Sequence, residues 1–485
     1  MMEASTSRQN PGAPGMNHQT GEFALFDAAW VEGLIRTELL NRSQQGYELD
    51  GFDAALSAAS GNVDALWPVY EALLKTNIAP DYPFTEPNDL AAIRSLRPDG
   101  PRRLPVNHSN LQMRDRMHGA LLGRVVGVIL GRPVEGLDID AIRQRLESTG
   151  DYPLADYFRQ FWIQGGVRQE SGYPAFRSTR EGLRMMPGAE PDDDLNYIMI
   201  NLRLLEKYGA GFNTLHAGYN WLESFPVNWS WGPERTAYLN LARYTDQGDR
   251  WRAIEPETLW RVTHHLYESS ELIGAQIRAD VFGYVLPGQP ELAAEWAWRD
   301  GALTHVKNGI YGEMLFAAAI AAAFVTETPR QAIEIGLSEV PDNCRLAEAM
   351  RNTLAWWDET HDWREVYSRI APVYNKYQPG GTINNACIIA NALLSGSGDF
   401  EQTMAITVMQ GQDTDCTGGT AGSIIGAWLG ATGIPAKWSD PLADTLETAI
   451  PGEGRNSISA TAERIQRLSL GLASAGQEIP FRWDL

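Results

Sequence analysis

Apolar residues recur at helical spacing along most of this chain. In seven long stretches the apolar positions lie three and four residues apart, which is the pattern of a helix with one buried face. These stretches cover residues 26–40, 63–74, 113–130, 195–205, 291–298, 314–324 and 404–408. Strict alternation of Val, Ile and Thr, the pattern of half-buried strands, is scarce. The sequence therefore predicts an all-α protein with no large sheet.

Polar and turn-forming segments predict how the chain is divided. Residues 1–20 contain no apolar stretch, which is typical of a disordered tail. Residues 21–110 carry two of the seven stretches and are predicted to form an N-terminal helical extension. The Pro- and Arg-rich segment 95–105 is the expected linker. We expect the remaining residues, 111–485, to form the main domain, and the extension to be an accessory layer.

Two of the predicted helices carry glycine at every fourth position. The first set is Gly119, Gly123, Gly127 and Gly131, and the second is Gly418, Gly422, Gly426 and Gly430. Each glycine inside a helix costs about 1 kcal/mol relative to alanine. Because a spacing of four places the glycines on one stripe, another backbone can approach closely. We predict that these two helices pack backbone to backbone.

Both glycine helices are also strongly apolar, over residues 119–131 and 421–436. Neither stretch reaches the roughly 20 apolar residues that a membrane span needs. They are predicted to be buried core helices, although Arg124 interrupts the first.

Three consecutive acids, Asp192, Asp193 and Asp194, precede the amphipathic stretch 195–205. One aspartate is enough to cap a helix N-terminus, and further acids in the first turn favour the helix dipole. Three adjacent carboxylates repel each other unless a cation neutralises them. The triplet is therefore either a cap with additional acids or part of a cation site.

A second acidic cluster, the sequence GQDTDC at residues 411–416, precedes the second glycine helix. Carboxylate oxygens suit hard cations such as Mg²⁺, Mn²⁺ or Ca²⁺. An EF-hand is excluded because the central glycine and the glutamate at its twelfth position are missing. The first glycine helix ends four residues before Glu135, and the second begins just after Asp413 and Asp415. We predict one shared polynuclear cation site between two helix N-termini.

Composition adds constraints on the partners and the location. The chain has 40 Lys+Arg against 61 Asp+Glu, a formal net charge of −21. This charge disfavours binding of nucleic acid or of an anionic membrane through the overall field. Three cysteines, at positions 344, 387 and 416, have no metal-knuckle spacing and are too few for a disulfide scaffold. Together with the absence of an apolar export signal, they predict a cytoplasmic protein.

These motifs, in this order, resemble those of the ADP-ribosylglycohydrolase family. The segment GALLGRVVGVILGRPVE, residues 119–135, is similar to the first helix of the family. DDDL, residues 192–195, stands where the family has Thr-Asp-Asp-Thr. GQDTDCTGGTAGSIIGAWLG, residues 411–430, is similar to the last motif, and a Thr-His pair, here Thr304-His305, lies between. The resemblance spans about residues 110–450. It implies an orthogonal all-α helix bundle around a binuclear Mg²⁺ or Mn²⁺ centre.

The resemblance also implies roles for particular residues. The implied metal ligands are Asp192, Asp193, Asp194, Asp413, Asp415 and Cys416. The implied catalytic residues are Glu135, Asp193 and Asp413, and the implied substrate-binding residues are Gly131, His305 and Asn385. Because sulfur is a soft donor, we expect Cys416 to stay out of direct coordination. His305 has the alternative of a hydrogen-bonded core histidine.

The implied activity is hydrolysis of an N- or O-glycosidic bond in a small ribosylated molecule, ADP-ribosyl- or nucleoside-like. Ribose hydroxyls would chelate one ion, and water held by an ion or by Glu135 would attack the anomeric carbon. The sequence departs from the family at Val128, Leu195 and Cys416, and in the glycine-rich loop expected at residues 379–387. Two alternatives therefore stay open. One is a catalytically silent member that binds ADP-ribose-like ligands, and the other is a different metal-dependent reaction on a ribosyl compound in a biosynthetic pathway.

Overall fold

A computed structural model describes residues 27–163, 166–168, 174–245, 254–266 and 271–474. The expected disordered tail, residues 1–20, lies outside these ranges. The all-α prediction is confirmed, because helices dominate and the strands within these ranges form only two antiparallel hairpins. Each of the seven predicted helical stretches lies in a helix, apart from one or two residues at its ends.

The helices have the following bounds: α1 Ala28–Gln44, α2 Phe52–Ala59, α3 Val63–Leu73, α4 Leu90–Leu96, α5 Asn110–Gly131, α6 Ile139–Thr149, α7 Arg180–Met185, α8 Asp193–Tyr208, α9 Thr214–Ser224, α10 Gly232–Thr245, α11 Pro256–Thr263, α12 Asp280–Val285, α13 Pro290–Gly301, α14 Asn308–Ala323, α15 Pro329–Leu337, α16 Arg345–Thr360, α17 Trp363–Tyr374, α18 Thr382–Gly396, α19 Phe400–Met409, α20 Thr414–Leu429, α21 Ala436–Ser439 and α22 Ile458–Ser474. The strands are β1 Phe161–Ile163, β2 Gly166–Arg168, β3 Thr445–Glu447 and β4 Arg455–Ser457. β1 pairs with β2, and β3 pairs with β4.

The chain folds into two compact units. Of the described residues, those up to Pro83 together with Leu266 form the smaller unit, and the others form the larger unit. In the smaller unit, α1, α2 and α3 bury an apolar core of its own, which includes Val31, Leu34, Leu56 and Leu66. Asp27 caps α1 and Asn62 caps α3.

The segment 84–110, which the sequence analysis placed in the extension, belongs to the larger unit. The reason is a set of polar contacts to the body of that unit. Trp298 Nε1 donates to Asn88 O at 2.8 Å, and Arg97 Nη1 donates to Glu339 Oε2 at 2.6 Å. Arg102 Nη1 donates to the other oxygen of Glu339 at 2.9 Å. The Pro- and Arg-rich stretch is therefore bound along its length rather than being a free linker.

The two glycine helices, α5 and α20, pack backbone to backbone as predicted. A Cβ on Gly127 would lie 1.9 Å from Gly418 O, and one on Gly123 would lie 2.1 Å from Gly422 O. Gly119 faces Gly426 in the same way. Since the start of α5 meets the end of α20, the helices run antiparallel. No helix in the described ranges is long and apolar enough to cross a membrane.

Candidate metal centre

The antiparallel packing brings the end of α5 to the beginning of α20. Thr414 Oγ1 donates a hydrogen bond to Gly131 O at 2.7 Å, which joins the two helix ends. The loop after α5 pairs with the loop before α20, because Gly136 N donates to Gln412 O at 2.8 Å. Glu135 and the acids at the start of α20 are therefore held on adjoining segments.

The first acid of the Asp192–Asp194 run is the N-cap of α8. Asp192 Oδ1 accepts from Asp194 N at 3.0 Å. Its Oδ2 accepts from Arg132 Nη1 at 2.5 Å, and the same nitrogen donates to Pro191 O at 2.9 Å. Asp192 is buried. Both of its oxygens thus have protein partners, and its side chain caps the N-terminus of α8.

The third acid of this run, Asp194, is paired with an arginine from the first glycine helix. Arg124 Nη2 donates to Asp194 Oδ1 at 2.9 Å, and Arg124 Nη1 lies 3.0 Å from Asp280 Oδ2. Cys416 Sγ donates to the other oxygen, Asp194 Oδ2, at 3.3 Å. Burial raises the pKa of Cys416 well above its ordinary value, so the thiol keeps the proton that it donates.

At the start of α20, Asp413 has an oxygen without a partner. Its Oδ1 is buried and has no hydrogen-bond partner in the described part of the chain. Asp413 N donates to Asn385 Oδ1 at 3.3 Å, and Asp415 Oδ1 accepts from Cys416 N at 3.0 Å. A Cβ on Gly380 would lie 3.3 Å from Asp413 Oδ2, so the backbone of this glycine borders the site.

The acids form two groups that could hold a cation. Asp413, Asp415 and Cys416 each offer a ligand atom within 4.8 Å of the others, and so do Asp192, Asp194 and Asp415. Because Asp415 belongs to both groups, they form one continuous acidic site. Buried oxygen donors fit a hard divalent cation, and the unpartnered Oδ1 of Asp413 is a buried acceptor that such an ion would satisfy.

The sixth implied ligand, Asp193, lies in the first turn of α8 outside these two groups. Its carboxyl group is close enough to the other acids for their charges to change its pKa. Burial and the charge of Asp192 raise the pKa of Asp193 well above its ordinary value. Its placement as a ligand stays a prediction.

The carboxylates raise one another's affinity for protons. Burial, followed by the charge of Asp415, raises the pKa of Asp413 well above its ordinary value. The charge of Asp415 is the largest cause of a similarly raised pKa at Glu135. The ionised forms therefore destabilise each other, and a bound cation would reverse this effect.

The three implied substrate-binding residues are all buried and have structural contacts. Asn385 Nδ2 donates to Pro379 O at 2.7 Å, so its amide organises the loop beside Asp413. A Cβ on Gly131 would lie 2.0 Å from Thr414 O. The ring Nδ1 of His305 lies 2.8 Å from Thr304 Oγ1, and burial lowers the pKa of His305 well below its ordinary value. These contacts of His305 are those of a hydrogen-bonded core histidine, which was the alternative interpretation. Contact of Gly131, His305 or Asn385 with substrate stays a prediction.

The sequence did not identify two arginines as part of the site, nor the aspartate that pairs with one of them. Arg124 and Arg132 contact two of the implied ligands, and Asp280 contacts Arg124. One signal was present, because an arginine inside an apolar helix requires a buried acidic partner. Nothing near Asp280 in the sequence marks it as that partner.

These features define an all-α protein with a buried acidic centre between helix ends. The sequence model of the ADP-ribosylglycohydrolase family matches residues 109–474. This is more than half of the chain, and the chain therefore belongs to the ADP-ribosylglycohydrolase family. Membership supports a glycohydrolase-type function in general terms.

No curated protein matches the chain. Among solved structures, it is similar to a chain of an "ADP-ribosylglycohydrolase-related protein complex". The two sequences are 21% identical, and the TM-score is 0.44. The match covers 74% of this chain and 99% of the other.

Proposed function

We propose that this protein is a metal-dependent hydrolase that cleaves the N- or O-glycosidic bond of a small ribosylated molecule. The substrate would be ADP-ribosyl- or nucleoside-like. One observation carries the proposal: beside Asp415, in a site that also includes Glu135, Asp413 presents a buried oxygen that has no hydrogen-bond partner among the described residues. Oxygen-rich ligands favour Mg²⁺ or Mn²⁺.

Asp413 and Asp415 would hold the cation, and the acids at the start of α8 surround it. When bound, the ion supplies a fixed positive charge that orients ribose hydroxyls and acidifies water. The thiol of Cys416 donates its hydrogen bond to Asp194, which keeps its sulfur directed at a protein partner.

Glu135 would act as the general base. It is exposed in the connection between α5 and α6, where water can reach it. In the metal-free site the charge of Asp415 raises the pKa of Glu135. A bound cation would lower that pKa again and keep Glu135 ionised, which is the form that accepts a proton. Glu135 would take the proton from the attacking water, while Asp193 and Asp413 would stabilise the positive charge that develops on the ribose ring.

A catalytically silent ADP-ribose-binding protein is the second candidate. The observation that favours it is the contact of Arg132 with Asp192 and of Arg124 with Asp194. Guanidinium groups can neutralise carboxylates without any metal ion. In that case the site would bind a ribosylated ligand and leave its glycosidic bond intact.

The experiment that separates these candidates follows the fate of the ligand. The Mn²⁺-loaded protein is incubated with ADP-ribosylated small molecules and with nucleosides, and the products are identified by mass spectrometry. We expect release of the free sugar. Binding of the intact compound in calorimetry without any release would favour the silent protein. A product other than the free sugar would indicate a different metal-dependent reaction on a ribosyl compound.

A further inference from the structure

Two arginines reach the acids at the N-terminus of α8 from the end region of α5. Arg124 is fully buried, and 14% of the Arg132 side chain is exposed. Arg124 contacts Asp194, and Arg132 contacts Asp192. Each guanidinium group thus places a permanent positive charge on one acid of the same ligand group.

The contacts of Arg124 leave it little freedom to move away from Asp194. Its Nη2 also donates to Ile277 O at 2.9 Å, and its Nη1 lies 3.0 Å from Asp280. Asp280 is in turn held by Tyr284, whose hydroxyl donates to Asp280 Oδ1 at 3.1 Å. Displacing Arg124 would leave a buried charge without its partner, which is strongly unfavourable.

All four carboxylate oxygens of Asp192 and Asp194 therefore have protein donors. Asp192 accepts from Arg132 and from the backbone N–H of Asp194, and Asp194 accepts from Arg124 and from the thiol of Cys416. A cation at this pair would have to share these oxygens with donors already bound to them, and it would lie beside two guanidinium charges that repel it.

The acids at the start of α20 are different. Asp413 Oδ1 is buried and has no hydrogen-bond partner among the described residues. Asp415 Oδ1 accepts from the backbone N–H of Cys416, and the Asp415 side chain also shares a hydrogen bond with the Asp413 side chain. Among the described residues, the acids at the start of α20 therefore include an unsatisfied buried acceptor, whereas the acids at the start of α8 are paired with guanidinium groups.

We propose that the centre binds a single divalent cation, at Asp413 and Asp415, rather than the two that the resemblance implies. Arg124 and Arg132 supply the positive charge at Asp194 and Asp192 that a second cation would supply. The inference rests on the proposed function, because it takes the site to be a metal centre. Within it, Asp194 is a positioning residue that fixes Cys416 and the start of α8.

The number of ions in the full-length protein tests this inference directly. The protein is saturated with Mn²⁺, freed of excess ion by gel filtration and weighed by native mass spectrometry. We expect one Mn²⁺ per chain. Two ions per chain would overturn the inference and leave the proposed function intact. No bound ion would overturn both.

Two matched variants, Asp194→Asn and Asp413→Asn, locate the ion. In calorimetric titration with Mn²⁺, we expect Asp194→Asn to bind one ion, with a dissociation constant within about threefold of the wild-type value. Asp413→Asn is expected to weaken binding by about 100-fold or more, because loss of a direct ligand should exceed the roughly 10–100-fold cost of losing a residue that only orients a ligand. Circular dichroism checks that both variants keep the wild-type helical signal. Equal losses of affinity in the two folded variants would overturn the inference.

If Asp194→Asn does not fold, Arg124→Lys replaces it in the comparison. Lysine keeps a positive charge beside Asp194, so we expect this variant to bind one ion as the wild type does. Loss of the ion in a folded Arg124→Lys variant would overturn the inference, because the ion is assigned to Asp413 and Asp415, whereas the recorded contacts of Arg124 are with Asp194, Asp280 and Ile277.

Discussion

At the scale of single residues, two aspartates of this centre are assigned different roles because their hydrogen-bond partners differ. Asp194 and Asp413 are both acids of the site, yet Asp194 has an arginine partner, whereas Asp413 Oδ1 has no hydrogen-bond partner in the part of the chain that the structure describes. The sequence could mark both as candidate ligands. It could not distinguish them, because Arg124 lies 70 positions before Asp194 and meets it only in the folded protein.

Glu135→Gln tests the general base. We expect kcat to fall by about 10²–10³-fold because glutamine cannot accept the proton from water. The Mn²⁺ content should stay at the wild-type value, since the ion is assigned to other residues. Glu147→Gln, at a half-exposed acid on α6, is the control and should leave kcat unchanged. A Glu135→Gln protein with wild-type kcat would exclude this residue as the base.

Glu234 predicts a pH dependence of stability away from the centre. Its carboxylate accepts from Arg278 Nη1 at 2.7 Å, and burial raises its pKa to about 7. Because the pKa is raised in the folded state, the stabilisation is fully present below about pH 4.5 and is lost as the pH rises through 7. A shift of this size corresponds to about 3 kcal/mol.

Glu234→Gln should therefore flatten the fall in unfolding free energy between pH 5 and pH 8, as measured by urea denaturation. Glu257→Gln is the matched control, because that side chain is 79% exposed. The same slope in Glu234→Gln and in the wild type would contradict the assignment.

At the scale of elements, the sequence predicts most of what the structure shows. Helical periodicity identifies the long helices, and the spacing of four between glycines predicts the packing of α5 on α20. The hairpins were not predicted, because strands of three residues are too short to show alternation. The pairing of loops around Gly136 depends on how α5 and α20 meet, which no local pattern records.

Gly127→Ala tests the helix packing. The added Cβ would lie 1.9 Å from the backbone oxygen of Gly418, so the helices would have to separate. We expect a loss of at least about 3 kcal/mol in unfolding free energy. The control is Gly471→Ala in α22, where a Cβ would meet no heavy atom of the described residues within 4 Å. That change should stabilise the protein by roughly 0.5–1 kcal/mol, and equal effects of the two changes would refute the packing argument.

At the scale of the whole molecule, both candidate ligand groups lie in the larger unit. The smaller unit has its own apolar core. The sequence predicted a helical extension but placed its end at residue 110, because the contacts that bind residues 84–110 come from distant side chains such as Glu339 and Trp298.

A chain beginning at Phe84 should therefore keep its helical signal and its Mn²⁺. Circular dichroism and metal analysis check this expectation. A chain that folds and binds no ion would show that residues 1–83 contribute to the centre. A chain that begins at Arg103 is the informative comparison, because it also lacks the contact of Arg97 and Arg102 with Glu339 and should be less stable.

Metal-dependent hydrolysis of a ribosyl bond is the reaction that we propose for this acidic centre. Its most direct test measures release of free sugar from a ribosylated compound by one preparation, before chelation, after exhaustive chelation and after Mn²⁺ is returned. We predict release that falls to background on chelation and recovers with Mn²⁺, since the ion is needed to orient the ribose and acidify the water. Undiminished release from the fully chelated protein would contradict the account.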